Sequence, residues 1–80
     1  SLRELVQSGA DIVSVTGGKA VTYTNTFRLN PSITVSGQNM ATGDFFTITN
    51  KSTTGFTIEF FNSSGNSINK TFDFSSRGIG

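Results

Sequence analysis

Thr54-Gly55-Phe56-Thr57-Ile58-Glu59-Phe60-Phe61 is the stretch on which the fold turns. Phe56, Ile58 and Phe60 recur at every second position, with Thr57 and Glu59 between them. That is the period of an extended strand with one face buried and the other toward solvent, and a helix would scatter the same side chains around its circumference. Gly55 precedes the run, where a residue free to take positive φ lets the chain reverse. The stretch predicts a core strand.

Working outward, the same alternation recurs on both sides. Asn50-Lys51-Ser52-Thr53 leads into the strand as a turn, and Asn62-Ser63-Ser64-Gly65-Asn66 leaves it as a hairpin loop. Phe46 and Ile48 continue the inward parity upstream, with Phe45 and Thr47 opposite; Ile68, Phe72 and Phe74 predict one last strand downstream. Ile33 and Val35 alternate with Ser32, Thr34 and Ser36, just after Asn30-Pro31, where proline interrupts any ladder. Val21, Tyr23 and Phe27 share a parity and predict a strand ending near Arg28. Val13 and Val15, either side of Ser14, predict a first strand over 11–16, closed by Gly17-Gly18. The segment 1–10 reads as a lead-in, and 11–80 as the folded domain. Ser1-Leu2-Arg3-Glu4 has capping-box spacing for a short helical turn closed by Gly9, and a lead-in strand fits equally.

Composition bounds the rest. Eighty residues make one domain, and a chain of this size buries only about 60% of the surface its unfolded form exposes. Cysteine and histidine are absent, and Glu4, Asp11, Asp44, Glu59 and Asp73 are spread singly. Neither disulfides nor a structural metal is expected to reinforce the core, and no cofactor motif is present. Self-association is then the economical way to add buried area. The net charge is +1 with dispersed cations, so there is no basic stripe for nucleic acid. No apolar run approaches the roughly 20 residues of a membrane-spanning helix. The chain opens on Ser1 rather than Met, which points to a longer parent, while Arg77-Gly78-Ile79-Gly80 reads as a chain end.

Four features in order resemble the H-type lectin domain, a trimeric β-sandwich. They are Val6-Gln7-Ser8-Gly9, the Val-x-Tyr-x-Asn-x-Phe run at 21–27 followed by Pro31, the Ile33/Val35 strand, and Thr53-Thr54-Gly55-Phe56. The second half is similar to a small C-terminal domain of tail-tip and tail-fibre proteins of tailed phages. That resemblance rests on Gln38-Asn39-Met40-Ala41-Thr42-Gly43-Asp44-Phe45-Phe46, Thr49-Asn50-Lys51, Thr54-Gly55-Phe56, Phe61-Asn62-Ser63, Thr71-Phe72-Asp73-Phe74 and the final Gly78-x-Gly. That family commonly carries tyrosine where this chain has Phe74 and Ile79. The expectation is all-β: a six- to seven-stranded antiparallel β-sandwich, H-type lectin-like and trimeric. The resemblance implies a host-receptor-binding module at the distal end of a virion, joined to upstream tail chain and contacting a bacterial glycan or outer-membrane protein. The lectins' sugar-binding residues do not carry over: their tryptophan–histidine pair falls at Ser63 and Ser64, and their arginine near Gly43.

The residues offer little to catalysis. Without His or Cys, hydrolysis needs a carboxylate pair or an activated serine; Asp44 and Asp73 read instead as carboxylates that bond backbone amides, and no enzyme is expected. The amide- and hydroxyl-rich loops are the binding candidates: Gln38, Asn39, Thr42 and Asp44 in one, Asn62, Ser63, Ser64 and Asn66 in the other. They are expected to meet at one end of the sandwich, joined by Gly17-Gly18-Lys19, although such residues also suit any tight turn. Asp44 is the pick among them, as a carboxylate able to accept two sugar hydroxyls. Phe45 and Phe61 break the inward parity. They are either a second core layer or an apolar outer patch buried between three subunits.

Overall fold

The central strand is where the alternation puts it. In the computed structural model, which describes residues 3–80, β5 runs Gly55–Phe61. Ile58 and Phe60 are wholly buried and Phe56 nearly so, while Thr57 and Glu59 are half-buried on the other face. Around β5 the chain forms β1 (Glu4–Val13), β2 (Lys19–Thr22), β3 (Ser32–Gly37), β4 (Phe45–Thr49), β6 (Ser67–Ile68) and β7 (Thr71–Ile79). Among the described residues there is no helix, and the strands make two antiparallel sheets. One has the order β1-β7-β3. In the other, β4 takes one edge of β5, pairing Phe45 with Phe61 and Thr49 with Thr57. β2 and then the short β6 share the opposite edge, pairing Thr22 with Gly55 and Ile68 with Phe60.

The two central strands face each other through aromatic rings. Phe60 of β5 packs on Phe72 of β7 at 5.7 Å between ring centroids, and Phe56 meets Phe74 edge-on at 5.3 Å. Val21, Tyr23 and Phe27 complete the buried cluster, with Leu5, Ile12, Ile33, Val35, Ile48 and Ile68 around it. Tyr23 and Ser76 share a buried 2.8 Å hydrogen bond between their hydroxyls, so neither polar group is stranded in the core. Burial raises the Tyr23 pKa above its ordinary value, and the Ser76 bond opposes that rise.

Four local expectations are corrected. First, Gly55 does not have positive φ. Its role is close approach, because a Cβ there would collide with the carbonyl oxygen of Val21 on β2. Second, the first strand begins at Glu4 rather than Asp11, so residues assigned to a lead-in are ladder partners of β7. Ser1 and Leu2 of the capping-box reading lie outside the described residues; from Glu4 on the chain is extended. A bulge between Gly9 and Ile12 puts Asp11 at φ 55° and inverts the parity beyond it. Ser14 is therefore buried while Val13 and Val15 are exposed, the reverse of the expected pattern. Ser14 is satisfied: its N–H donates to the Lys70 carbonyl and its Oγ accepts from the Lys70 N–H, both at 2.8 Å.

Third, the second strand stops at Thr22. Tyr23 and Phe27 still reach the core because their N–H groups donate to the carbonyls of Thr54 and Thr53, at 2.9 and 3.0 Å, while 24–26 loop outward. Fourth, the last strand is two: Ile68 pairs in one sheet, Asn69-Lys70 crosses, and Thr71 onward pairs in the other. The domain is long and narrow, 47 × 20 × 17 Å. The Gly80 N–H donates to the Arg3 carbonyl at 2.9 Å, so both ends of the described chain sit together. β1 leads away from that end and β7 returns to it, so the 38–44 and 62–66 loops belong to the far end.

Candidate functional site

The far end is built by three connections. β3 ends at Gly37 and hands over to 38–44; β5 ends at Phe61 and hands over to 62–66; Asn69-Lys70 passes beneath into β7. The first two touch, as expected. A Cβ placed on Gly43 would lie 2.6 Å from the Ser63 Cβ, so the two loops are in contact there. Gly17 does not join that contact. Its N–H donates to Ser67 Oγ at 3.0 Å, beside β6, and Thr16 Oγ1 donates to Asn69 Oδ1 at 3.0 Å.

Asp44 is spent inside the loop. Its Oδ2 accepts the Ala41 N–H at 2.8 Å and faces Lys70 Nζ at 3.2 Å, with only 4% of the side chain exposed. Lys70 Nζ also donates to the Asn39 carbonyl at 2.8 Å, so one ammonium ties both ends of the loop to the β6–β7 link. The Ala41 N–H holds the Asp44 carboxyl below its ordinary pKa; burial opposes this, and Lys70 adds to the lowering. Asp44 is thus a brace, with its Oδ2 already engaged.

Gln38 and Asn62 are braces as well. Gln38 Nε2 donates to Asp11 Oδ1 at 2.8 Å and to Asp73 Oδ1 at 3.1 Å, and Asp73 Oδ1 also accepts the Asp11 N–H at 2.8 Å. This cluster fixes the β1 bulge to the start of the 38–44 loop. Asp73 bonds a backbone amide, as its residue type suggested, although the amide belongs to a bulge on the neighbouring strand. Asn62 Oδ1 accepts the N–H groups of Ser64 and Asn66, each at 3.0 Å, and the Asn62 N–H donates to the Asn66 carbonyl at 2.9 Å. What these braces present outward is Asn39, Thr42, Ser63, Ser64 and Asn66, all exposed. Asn39 is held at φ 54°, a conformation its short amide tolerates. Among the described residues no enclosed pocket is found.

Phe45 and Phe61 lie directly below this rim. They are cross-strand partners on the outer face of the β5 sheet, stacked at 5.1 Å with 20° between ring planes. Phe45 is 46% exposed and Phe61 half-buried, so they do not form a second core layer. Phe46, on the inward parity, rests 5.3 Å from the Phe60 ring but stays 36% exposed because β4 is an edge strand.

Lys70 is the far-end residue the sequence did not single out. It stands among dispersed cations, and no local spacing links it to Asp44 or Asn39. Comparison of the chain with protein-family models, with curated proteins and with solved structures returned no match.

Proposed function

We propose that this chain is the receptor-contacting module of a tailed-phage tail tip or tail fibre. In this reading it acts as a homotrimer at the distal end of the virion and touches a glycan or outer-membrane protein of a bacterial surface. The reading starts from the sequence resemblance and is supported by one structural observation. Five exposed amide and hydroxyl side chains, Asn39, Thr42, Ser63, Ser64 and Asn66, sit on two braced loops at the end opposite Arg3 and Gly80. Chain arriving through β1 would leave those loops facing away from it. Exposed polar loops without a pocket make weak single contacts, and three copies on one axis would raise them through effective concentration, by roughly 10²–10⁴ over one site. Gln38, Asp44 and Asn62 serve this contact indirectly, by holding the loops.

Binding of the fluorescently labelled domain to a panel of bacterial cells tests the reading. The expected result is saturable binding to some strains, competed by unlabelled domain and reduced at least tenfold by the combined Asn39→Ala, Thr42→Ala and Asn66→Ala substitutions. Binding to no strain, or binding indifferent to those substitutions, would favour the alternative. In that case the domain is a structural tip that registers three chains while other parts of the tail make contact.

A further inference from the structure

We infer that Ser14 and Lys70 are positioning residues of the rim: together they fix where the exposed Asn39 and Thr42 stand. The inference rests on the reading of the rim as a contact surface and adds what holds one of its two loops in place.

The two loops are held in different ways. The 62–66 loop closes on itself. Asn62 Oδ1 accepts the N–H groups of Ser64 and Asn66, each at 3.0 Å, and the Asn62 carbonyl accepts the Gly65 N–H at 2.9 Å. The 38–44 loop has one internal turn, in which the Ala41 N–H donates to Asp44 Oδ2 at 2.8 Å and the Asp44 N–H to the Ala41 carbonyl at 3.0 Å. Among the described residues, the other hydrogen bonds and the ion pair that hold this loop come from outside it. Gln38 is bonded to Asp11, Asp73 and the Thr71 carbonyl, and the Lys70 ammonium reaches the Asn39 carbonyl and Asp44.

Lys70 is in turn placed by the β1–β2 connection. Its N–H donates to Ser14 Oγ and its carbonyl accepts the Ser14 N–H, so one buried residue pins both sides of the Lys70 backbone. The neighbours of Lys70 are tied to the same connection, Asn69 through Thr16 and Ser67 through Gly17. Residues 11–17 thus form a strap across the far end, bonded to Gln38, Ser67, Asn69, Lys70 and Asp73. This accounts for a serine at the position the bulge turns inward. An apolar side chain of similar size fills the space but offers no acceptor, and the Lys70 N–H then loses its partner. A link that shifts to satisfy that donor carries the ammonium with it, and Asn39 and Asp44 lose their common anchor. The dependence runs from the β1 bulge through Ser14 and Lys70 to the rim.

Amide hydrogen exchange read by NMR tests this without any receptor. Lys70→Met and Ser14→Ala should each lower protection of the Ala41 and Asp44 amides by about tenfold, while Ser64, Asn66, Phe56 and Ile58 keep wild-type protection. Lys70→Arg, which retains the charge and the donors, should restore Ala41 and Asp44. Lys51→Met removes an exposed cation from the opposite end and should change none of these amides. Unchanged exchange at Ala41 and Asp44 in Lys70→Met overturns the inference. So does a loss that spreads equally to Phe56 and Ile58, which marks general destabilisation. Wild-type exchange in Ser14→Ala overturns the role given to Ser14. On any strain that wild type binds, Lys70→Met should bind about tenfold more weakly, and equal binding overturns the link from Lys70 to the rim. A wild type that binds no strain ends the receptor reading instead, and the exchange measurement still decides what positions the loop.

Discussion

Replacing Gly55 with alanine separates the two reasons a glycine can stand before a core strand. If Gly55 were there to turn the chain, the penalty would be conformational, and asparagine would restore part of what alanine loses. The structure assigns close approach instead, with the added Cβ driven into Val21 O and 3.2 Å from Thr22 Cα. Both obstacles are backbone, so β2 must move away from β5. Forced overpacking of this kind costs about 1–3 kcal/mol. Displacing β2 also strains the Tyr23 N–H bond to Thr54, and one such bond contributes about 1 kcal/mol. The total, about 2–4 kcal/mol, is a large part of the roughly 4–12 kcal/mol available to a domain of this size. Tyr23 is the only tyrosine and there is no tryptophan, so tyrosine emission follows the affected region during urea unfolding. At about 1–2 kcal/mol per M for a chain this small, the midpoint should fall by about 2 M. Gly65 is the control, at φ 83° with open space around a Cβ. There alanine should cost about 1–2 kcal/mol and asparagine less. Equal midpoints for Gly55→Ala and wild type, or rescue at this position by asparagine, would refute the close-approach argument.

Four further outcomes rest on the same geometry. The Asp44 carboxyl is held below its ordinary 3.8 in the folded chain. Its contribution is therefore complete above that value and disappears as pH falls through the lower folded pKa. Urea midpoints of wild type and Asp44→Asn should differ most at neutral pH and converge on acidification; a gap that widens in acid would contradict the brace. Tyr23→Phe leaves Ser76 Oγ buried without its partner and should cost about 1–3 kcal/mol, whereas Tyr23→Phe with Ser76→Ala should recover much of the loss. A double-mutant cycle with no coupling would show that the 2.8 Å bond is not made. Phe60→Ala, at a fully buried ring, should cost about 3–5 kcal/mol and leave little folded protein. Phe45→Ala should leave each subunit folded by circular dichroism and lower the mass seen in light scattering; a lost circular-dichroism signal would place Phe45 in the core instead.

The fold was legible wherever alternation is uninterrupted. β5 is so because its buried face carries Phe56, Ile58 and Phe60 without a break, and β3 for the same reason through Ile33 and Val35. Legibility ends at the bulge. Val13-Ser14-Val15 has the alternation of a strand with its valines inward, yet the extra residue near Asp11 turns Ser14 into the core and both valines out. Parity carries information only relative to a fixed register, and a bulge resets the register without any apolar signal of its own. The same holds at Tyr23 and Phe27, which lie on the expected face although the ladder has already ended at Thr22. Hydrophobic spacing reported which side chains are buried there, and could not report whether a strand or a loop buries them.

The far end shows the complementary limit. Residue type correctly marked two polar loops, and the chain does bring them into contact at Gly43 and Ser63. It could not divide them into braces and presented groups, because that division depends on partners distant in sequence. Asp44 is capable of accepting two sugar hydroxyls; Ala41 and Lys70 take its Oδ2 first. A buried carboxylate left without those partners would carry a desolvation penalty larger than a weak surface contact returns, so folding decides its use before any ligand arrives. What remains for a partner are the side chains with no internal obligation, Thr42 and Ser64 among them, and these have the least distinctive chemistry on the chain. Individually weak contacts of that kind gain most from being repeated in register on one axis. Under the proposed function, the outward phenylalanines of β4 and β5 and the polar rim above them would serve one requirement.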